Sequence, residues 1–239
     1  MLRHIARRLA RGMKYTMDIG EQKKQLLDRL EKSGYIATKL VRQAMENVAR
    51  EDFLPDDVKS SAYEDRPLSI GLGQTISAPH MNAMMCSSLK LEGKNPLKVL
   101  EIGTGSGYHA ALCAEVLKLS GIGGHVYTVE RIQSLAENAK EQLEKAGYKD
   151  MVTVIVSDGT LGYAPEAPYD RILVTAAAPR VPQALADQLA EDGILLIPVG
   201  DKHGYQTLYE VTKKEGKISQ KDICGVVFVP LIGTDGFSA

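Results

Sequence analysis

The sequence of 239 residues lacks tryptophan and has only three cysteines. Cys86, Cys113 and Cys224 lie far apart among apolar residues, and none belongs to a CxxC motif. A disulfide scaffold or a zinc site needs more cysteine and histidine ligands at regular spacing. We therefore expect reduced core cysteines and no bound metal. A nucleophilic cysteine needs an electropositive setting, which the sequence around these three does not indicate.

The sequence also lacks a large net charge and a long apolar run. The formal charge is −1, so no overall electrostatic attraction draws the chain to nucleic acid or to an anionic membrane. No stretch of about 18 apolar residues and no secretory apolar segment occurs. We expect a cytoplasmic protein without nucleic-acid or membrane partners, and we expect a monomer.

Positive charge is concentrated at the start of the chain. Residues 1–17 carry five basic residues and no acid, which leaves −6 for the remainder. Basic residues interspersed with apolar ones are typical of a transit peptide, a membrane-surface helix or a solvated basic helix. The segment is short and lacks serine, which favours the solvated helix. We interpret residues 1–20 as a basic arm and residues 21–239 as a single domain.

The overall composition is that of an ordinary globular domain, with 44% hydrophobic and 25% charged residues. Apolar residues at helical spacing predict a first helix over 21–34. Thr38 can cap a second helix, which we expect to continue until Phe53–Pro55, where proline stops it. The predicted organisation of the domain is a helical layer with a substrate loop over 21–95, a cofactor-binding core over 96–200 and a C-terminal hairpin over 201–239.

From residue 97 onward, short apolar runs alternate with amphipathic helical segments. This alternation predicts βαβ crossovers and a doubly wound, mostly parallel α/β sheet. Two later apolar runs are separated by a polar segment too short for a crossover helix, so they predict an antiparallel hairpin at one sheet edge. The predicted strands are 98–102, 125–129, 152–156, 171–174, 194–197, 207–211 and 225–229, and the predicted helices of the core include 132–146 and 182–193.

A glycine-rich turn follows the first predicted strand of the core. Gly103–Gly107 reads GxGxG and opens a helix, and glycine there lets a ligand approach the backbone. Dinucleotide folds of the GxGxxG type require a further glycine where this chain has Tyr108. Glu130 ends the next strand, where a carboxylate can accept both hydroxyls of a ribose. Asp158 follows the third strand and could hold an adenine amino group.

Each of these features alone has a structural explanation, since glycine turns and acids at strand ends are common. Their order along the chain resembles that of S-adenosylmethionine-dependent methyltransferases of the Rossmann-like class, over residues 96–200. The resemblance implies S-adenosylmethionine as cofactor and S-adenosylhomocysteine as product.

The methylated group must be sought elsewhere, because many methyltransferases share this cofactor half. Amino-methylating members carry Asn-Pro-Pro-aromatic after the fourth strand, where this chain has Thr175–Pro179, and no cysteine fits the Pro-Cys position of cytosine C5 enzymes. Ahead of the core, Gln74–Met81 reads QTISAPHM. This stretch closely resembles the signature of protein-L-isoaspartate O-methyltransferases, and ordered similarity continues from about residue 24 to the end.

This second resemblance implies methylation of the free α-carboxyl of L-isoaspartyl residues in damaged proteins, followed by succinimide formation and opening to aspartate. It implies that Ser77 is catalytic, although Ser77 and Pro79 also fit the start of a helix. His80 is either a substrate contact or a structural hydrogen-bonding residue. The implied substrate-binding residues are Ser77, His80, Val229 and Pro230, and the implied cofactor-binding residues are Thr75, Ile76, Ser77, Glu101, Gly103, Thr104, Gly105, Gly107, Glu130, Arg131, Asp158 and Gly159.

The chain departs from the family pattern in the basic arm, in Asn82 and Thr160, and in the missing C-terminal tryptophan. These departures concern the cofactor edge and the closing of the C-terminal tail. Two other functions stay open: methylation of a small carboxylic acid or alcohol, and cofactor binding by a scaffold without turnover. Nucleic-acid methylation would need the basic arm, so deleting residues 1–17 should abolish it and should leave peptide repair nearly unchanged.

Overall fold

A computed structural model describes residues 18–238, so residues 1–17 of the predicted arm lie outside the described range. No helix within 18–238 is long and apolar enough to cross a membrane. The helices of this range are α1 Ile19–Lys32, α2 Lys39–Asn47, α3 Pro79–Leu89, α4 Tyr108–Ser120, α5 Gln133–Lys145 and α6 Gln183–Gln188; the strands are β1 Leu68–Gly71, β2 Gln74–Ile76, β3 Leu97–Ile102, β4 Gly124–Glu130, β5 Val152–Val156, β6 Tyr169–Val174, β7 Leu189–Gly200, β8 Gln206–Lys214 and β9 Lys217–Val226.

The N-terminal helical layer forms as predicted, but its second helix is shorter. Thr38 caps α2, since its hydroxyl oxygen accepts a hydrogen bond from the Val41 N–H at 3.2 Å. The helix ends at Asn47 and not near Phe53, because Val48 adopts an extended backbone conformation. A separate 3-10 turn, Arg50–Phe53, follows. This break turns the chain inward, so that the side chains of Arg50 and Phe53 become buried.

Seven strands form the central sheet in the order β5-β4-β3-β6-β7-β8-β9. All pairs from β5 to β7 are parallel, and β7-β8 and β8-β9 are antiparallel. This confirms the doubly wound sheet and its antiparallel edge. The strand order reverses direction at β3, whose neighbours are β4 and β6. In open α/β sheets, ligands bind outside the carboxyl ends of the strands at such a reversal.

The sheet is apolar on both faces, and each face has its own cluster of buried residues. On β3, Val99 belongs to the cluster that contains the N-terminal helices, whereas Leu100 and Ile102 belong to the opposite cluster. Adjacent residues of a strand point to opposite faces, so a strand buried on both sides reads as a continuous apolar run. This explains why the sequence of the core strands shows no polar alternation.

In the C-terminal half, the predicted helix 182–193 and both predicted hairpin strands have wrong boundaries. The helix predicted over 182–193 ends at Gln188, and its last five residues begin β7. The polar segment between the hairpin strands is itself paired, up to a tight turn at Glu215–Gly216, where both residues have positive φ. Polar residues suit these strand ends because they lie at the solvated edge of the sheet. The last predicted strand stops at Val226 rather than at Val229.

The segment after β9 returns to the middle of the sheet. Pro230 lies beside Ala177 in a parallel bridge. The Ala177 N–H donates to the Val229 carbonyl at 2.8 Å, and the Leu231 N–H donates to the Ala177 carbonyl at 2.7 Å. These bonds bring the C-terminal segment to the same sheet edge as the glycine turn.

Candidate active site

The glycine turn Gly103–Gly107 connects β3 to α4, as predicted. Gly103 has φ +94°, and a Cβ there would lie 2.4 Å from the Thr175 hydroxyl oxygen. That hydroxyl donates to the Gly103 carbonyl at 2.7 Å. Gly107, with φ +87°, immediately precedes α4. Positive φ at these glycines and the close contact at Gly103 exclude a side chain there. The backbone of the turn therefore stays accessible to a ligand.

Glu130 lies at the end of β4, next to this turn. One carboxylate oxygen accepts the Gly105 N–H at 3.0 Å, and the other accepts the Ile132 N–H at 3.0 Å. These two bonds fix the side chain across the mouth of the turn. The residue is buried, and the neighbouring Arg131 is exposed.

Glu101 is the buried acid at the end of β3. The Thr128 hydroxyl donates to its Oε2 at 2.6 Å, and Thr104 and Thr128 share a hydrogen bond of 2.7 Å. Its Oε1 is buried and has no hydrogen-bond partner. Burial raises the pKa of Glu101 to about 7. An unpartnered buried carboxylate oxygen is costly, and a cationic ligand group would satisfy it.

Asp158 turns toward the C-terminal segment. Its Oδ1 accepts the N–H and the hydroxyl of Thr160 at 2.9 and 2.6 Å, and its Oδ2 accepts the Thr234 N–H at 2.7 Å. Burial acts to raise the pKa of Asp158, but the hydrogen bonds from Thr160 and Thr234 outweigh it and lower the pKa. Asp158 thereby ties the C-terminal segment to the sheet, while Gly159 beside it faces the ligand cavity.

Three adjoining cavities surround the glycine turn, and Thr75 and Thr175 line all three. We call them the Glu130 cavity, the Glu101 cavity and the open cleft, which has a volume of about 850 Å³. The Glu130 cavity is lined by Gln74, Thr75, Ile102, Gly103, Gly105, Val129, Glu130, Arg131, Gly159, Thr175, Ala176 and Val229–Ile232. The Glu101 cavity is lined by Thr75, Ile76, Ser77, Asn82, Glu101, Gly103–Ser106, His109 and Thr175.

Ser77 lines both the Glu101 cavity and the open cleft. The sequence allowed it to be the cap of α3, but the N-cap is Ala78, and no side chain caps this helix. The Ser77 hydroxyl is therefore not used in starting the helix. Val229 and Pro230 lie between the Glu130 cavity and the cleft. All the predicted site residues except Gly107 and Asp158 line at least one cavity.

His80 lines the open cleft and also has a structural partner. Its Nδ1 and its backbone N–H both donate to the same oxygen of Asp65, at 2.8 and 2.9 Å. The ring also packs against Tyr35, with centroids 5.3 Å apart. The structure thus accommodates both sequence interpretations of His80, because its ring is fixed on one side and faces the cleft on the other.

Sequence reasoning missed a buried polar chain behind Ser77. Arg50 donates to the Ser77 carbonyl at 2.8 Å and to Asn82 Oδ1 at 3.1 Å, and Asn82 Nδ2 lies 3.1 Å from His109 Nδ1. The sequence flagged Asn82 only as a departure from the family pattern. Thr175 was noted after the fourth predicted strand but was not included among the predicted site residues.

Sequence reasoning also missed that Cys86, His109 and Cys113 lie together. Their possible ligand atoms are within 4.8 Å of one another, and His109 and Cys113 share one face of α4. Arg50 can only donate, so the side-chain oxygen of Asn82 faces Arg50 and its amide nitrogen Nδ2 faces His109 Nδ1. That ring nitrogen must then accept, which leaves the ring proton of His109 on Nε2. A hydrogen bond with Cys113 lowers the pKa of Cys86.

Comparisons with known proteins agree with this geometry. The family model of protein-L-isoaspartate(D-aspartate) O-methyltransferases matches residues 21–236. Among curated relatives, the protein-L-isoaspartate O-methyltransferase of Hyperthermus butylicus is 53% identical over 222 residues, which is 91% of each chain. That of Ignicoccus hospitalis is 53% identical over 212 residues, covering 89% of this chain and 98% of its own.

Solved structures give the same result. A Plasmodium falciparum protein, crystallised as a protein-L-isoaspartate O-methyltransferase with S-adenosyl-L-homocysteine, has a TM-score of 0.77 and 30% identity, and the match covers 87% of this chain and 97% of that one. A second protein-L-isoaspartate O-methyltransferase structure has a TM-score of 0.80 and 29% identity, with coverage of 90% and 67%. The chain therefore belongs to the protein-L-isoaspartate(D-aspartate) O-methyltransferase family.

Proposed function

We propose that this chain transfers a methyl group from S-adenosylmethionine to the free α-carboxyl of L-isoaspartyl residues in damaged proteins. The backbone nitrogen of the following residue then attacks the ester carbonyl and displaces methanol, which gives a succinimide, and water opens this ring to aspartyl. The observation that carries the proposal is the position of Ser77, which lines both the cavity beside Glu101 and the open cleft. A methyl donor on one side and a peptide on the other would meet there.

The residues around the glycine turn fit S-adenosylmethionine. When bound, this cofactor supplies an electrophilic methyl group on a positively charged sulfur. Glu130 would accept the ribose hydroxyls, and the unpartnered oxygen of Glu101 would accept the ammonium group. The backbone of Gly103–Gly105, with Thr75, Ile76, Thr104, Arg131 and Gly159, would line the remainder, and Asp158 would contribute at the adenine end through the segment it anchors.

The reaction makes modest demands on the protein side chains. A free α-carboxyl has a pKa of about 3.5, so the nucleophile is already ionised at neutral pH and needs no general base or activating metal. Ser77 would donate its hydroxyl proton in a hydrogen bond to one carboxylate oxygen and so aim the other at the methyl group. Alignment at near-attack distance and exclusion of water then lower the barrier.

The open cleft supplies a place for the damaged peptide. Its lining includes Thr75 and Ser77 of the Gly71–Ser77 loop, Lys202 and His203, and residues 225–230 of the C-terminal segment. Val227 is 88% exposed at its rim. An isoaspartyl residue presents its α-carboxylate on a chain lengthened by one methylene, and we propose that an extended peptide pairs along this edge to place that group at Ser77.

The test uses methyl-labelled S-adenosylmethionine and paired peptides that differ only in one isoaspartyl or aspartyl linkage, with base-labile volatile label as the readout. We expect label with the isoaspartyl peptide alone. S77A should lower kcat by about 10- to 100-fold, whereas S60A, at an exposed serine outside the cavities, should keep full activity. Label on both peptides or on neither would contradict the proposal; small carboxylic acids are the next substrates in the second case.

The remaining partners follow from the same proposal. Isoaspartyl peptides and proteins are the substrates, and deletion of residues 1–17 should leave their methylation nearly unchanged. We place the enzyme in the cytosol, because Cys86, Cys113 and Cys224 are free thiols within the described range and such thiols persist in a reducing compartment. We propose a monomer, which sedimentation would test.

A further inference from the structure

Arg50 is a buried cation without an acidic partner. Its residue exposure is 1%, and within residues 18–238 no carboxylate forms an ion pair with it. Desolvation lowers the pKa of Arg50 against an opposing attraction from Asp65. Burying an arginine without a counter-ion costs more than filling the same space with an apolar side chain. A residue that breaks this rule is expected at a site that serves function at a cost in stability.

The contacts of Arg50 join the two loops of the candidate site. One terminal nitrogen donates to the carbonyl of Ser77 at 2.8 Å, and the other donates to Asn82 Oδ1 at 3.1 Å. The guanidinium carbon lies 5.2 Å from the ring centroid of Tyr108, which directly follows the glycine turn. Arg50 itself lines none of the three cavities, so it contacts the loops from behind.

The carbonyl of Ser77 depends on this contact. It precedes the N-cap Ala78, so it lies outside the hydrogen-bond ladder of α3, and Pro79 supplies no N–H to the neighbourhood. Without Arg50, this partly buried carbonyl would lose its hydrogen-bond partner within residues 18–238. The peptide group between Ser77 and Ala78 would then be free to rotate, and the hydroxyl of Ser77 would shift with this change of the backbone.

We propose that Arg50 is a positioning residue for the methyl transfer: it fixes the Ser77 peptide against the start of α4, so that the Ser77 hydroxyl lies between the Glu101 cavity and the open cleft. This inference rests on the proposed role of Ser77. Arginine suits the task because its planar fork reaches two acceptors in divergent directions and stacks on an aromatic ring. A lysine donates from a single nitrogen and lacks both the planar fork and its stacking on the ring.

The test is a double-mutant cycle between Arg50 and Ser77. We expect R50M to lower kcat for the isoaspartyl peptide by about 10- to 100-fold, the loss typical of a reacting group misplaced by about 1 Å, with the Kd of S-adenosylhomocysteine unchanged. R50K should recover part of that loss. The double variant R50M/S77A should be no slower than S77A, because Arg50 acts through Ser77.

Arg171 provides the matched control. It is partly buried and, like Arg50, donates to backbone carbonyl oxygen, including that of Leu89 at 2.6 Å, but it lines no cavity of the site. R171M should lower the melting temperature and leave kcat unchanged, which separates loss of stability from loss of positioning.

Three outcomes would count against the inference. Unchanged kcat in R50M, or losses that multiply in R50M/S77A, would overturn the role of Arg50 while the role of Ser77 stands. Full activity of S77A would overturn both. If R50M does not fold, R50K carries the same cycle, because it retains the charge and the stem but lacks the planar fork.

Discussion

Replacing Glu101 by glutamine should make the cofactor-free protein more stable at alkaline pH and should weaken its binding of S-adenosylhomocysteine. Burial raises the pKa of Glu101 from 4.5 to about 7. At about 1.36 kcal/mol per pKa unit, ionising this group costs the folded state about 3 kcal/mol. Glutamine keeps the oxygen that accepts from Thr128 and has no charge to desolvate. It also lacks the charge that would attract the cofactor ammonium.

The pH dependence has a definite sign. Because the pKa of Glu101 is higher in the folded chain, the folded state holds a proton that the unfolded state has lost between pH 4.5 and about 7. The contribution of Glu101 to the free energy of unfolding is therefore fully present below pH 4.5 and is lost as the pH rises through about 7. E101Q has no ionisable group at this position, so its free energy of unfolding shows no such decline from residue 101.

The assay is urea unfolding of both proteins without cofactor, from pH 4.5 to 8.5, together with calorimetric titration of S-adenosylhomocysteine. The difference in unfolding free energy between E101Q and the parent chain should grow by about 3 kcal/mol across the range. E92Q, which removes an exposed carboxylate, is the control and should track the parent. A constant difference between E101Q and the parent would refute the argument from burial.

Three further predictions concern the frame of the site. Gly103→Ala should lower the free energy of unfolding by about 1–3 kcal/mol and abolish calorimetric binding of S-adenosylhomocysteine, because its Cβ would lie 2.4 Å from the Thr175 hydroxyl; tight binding would contradict this. Asp158→Asn should speed release of S-adenosylhomocysteine in stopped-flow experiments, because an amide has one oxygen and cannot accept from both Thr160 and Thr234 as the carboxylate does; an unchanged rate would argue against it. Leu100→Ala should cost about 2–5 kcal/mol in urea unfolding, and a smaller loss would mean that the core collapses around the gap.

The parts of the fold that the sequence predicts well are those determined by local patterns. The β5 strand, Val152–Val156, has the predicted bounds because an apolar, β-branched run sits between turn residues. The Gly103–Gly107 turn and Glu130 fall where predicted because each follows a strand end, and strand ends of a parallel sheet converge. These signals lie within a few residues of the feature that they predict.

The parts that the sequence does not predict depend on contacts between distant residues. The end of α2 at Asn47 accompanies the burial of Arg50, whose partners are 27 and 32 residues away. The grouping of Cys86 with His109 requires the packing of α3 on α4, although the helical spacing of His109 and Cys113 was visible. The start of β7 at Leu189 reflects pairing with β6 that overrides a helical pattern.

The return of residues 229–232 to the sheet has a consequence for the order of events during synthesis. These residues form one wall of the Glu130 cavity and follow β9 in the chain. The cavity lacks this wall until Pro230 joins Ala177, and residues so near the C-terminus leave the ribosome only when synthesis has ended. We therefore expect affinity for the methyl donor to develop in the last step of folding, after the chain is released.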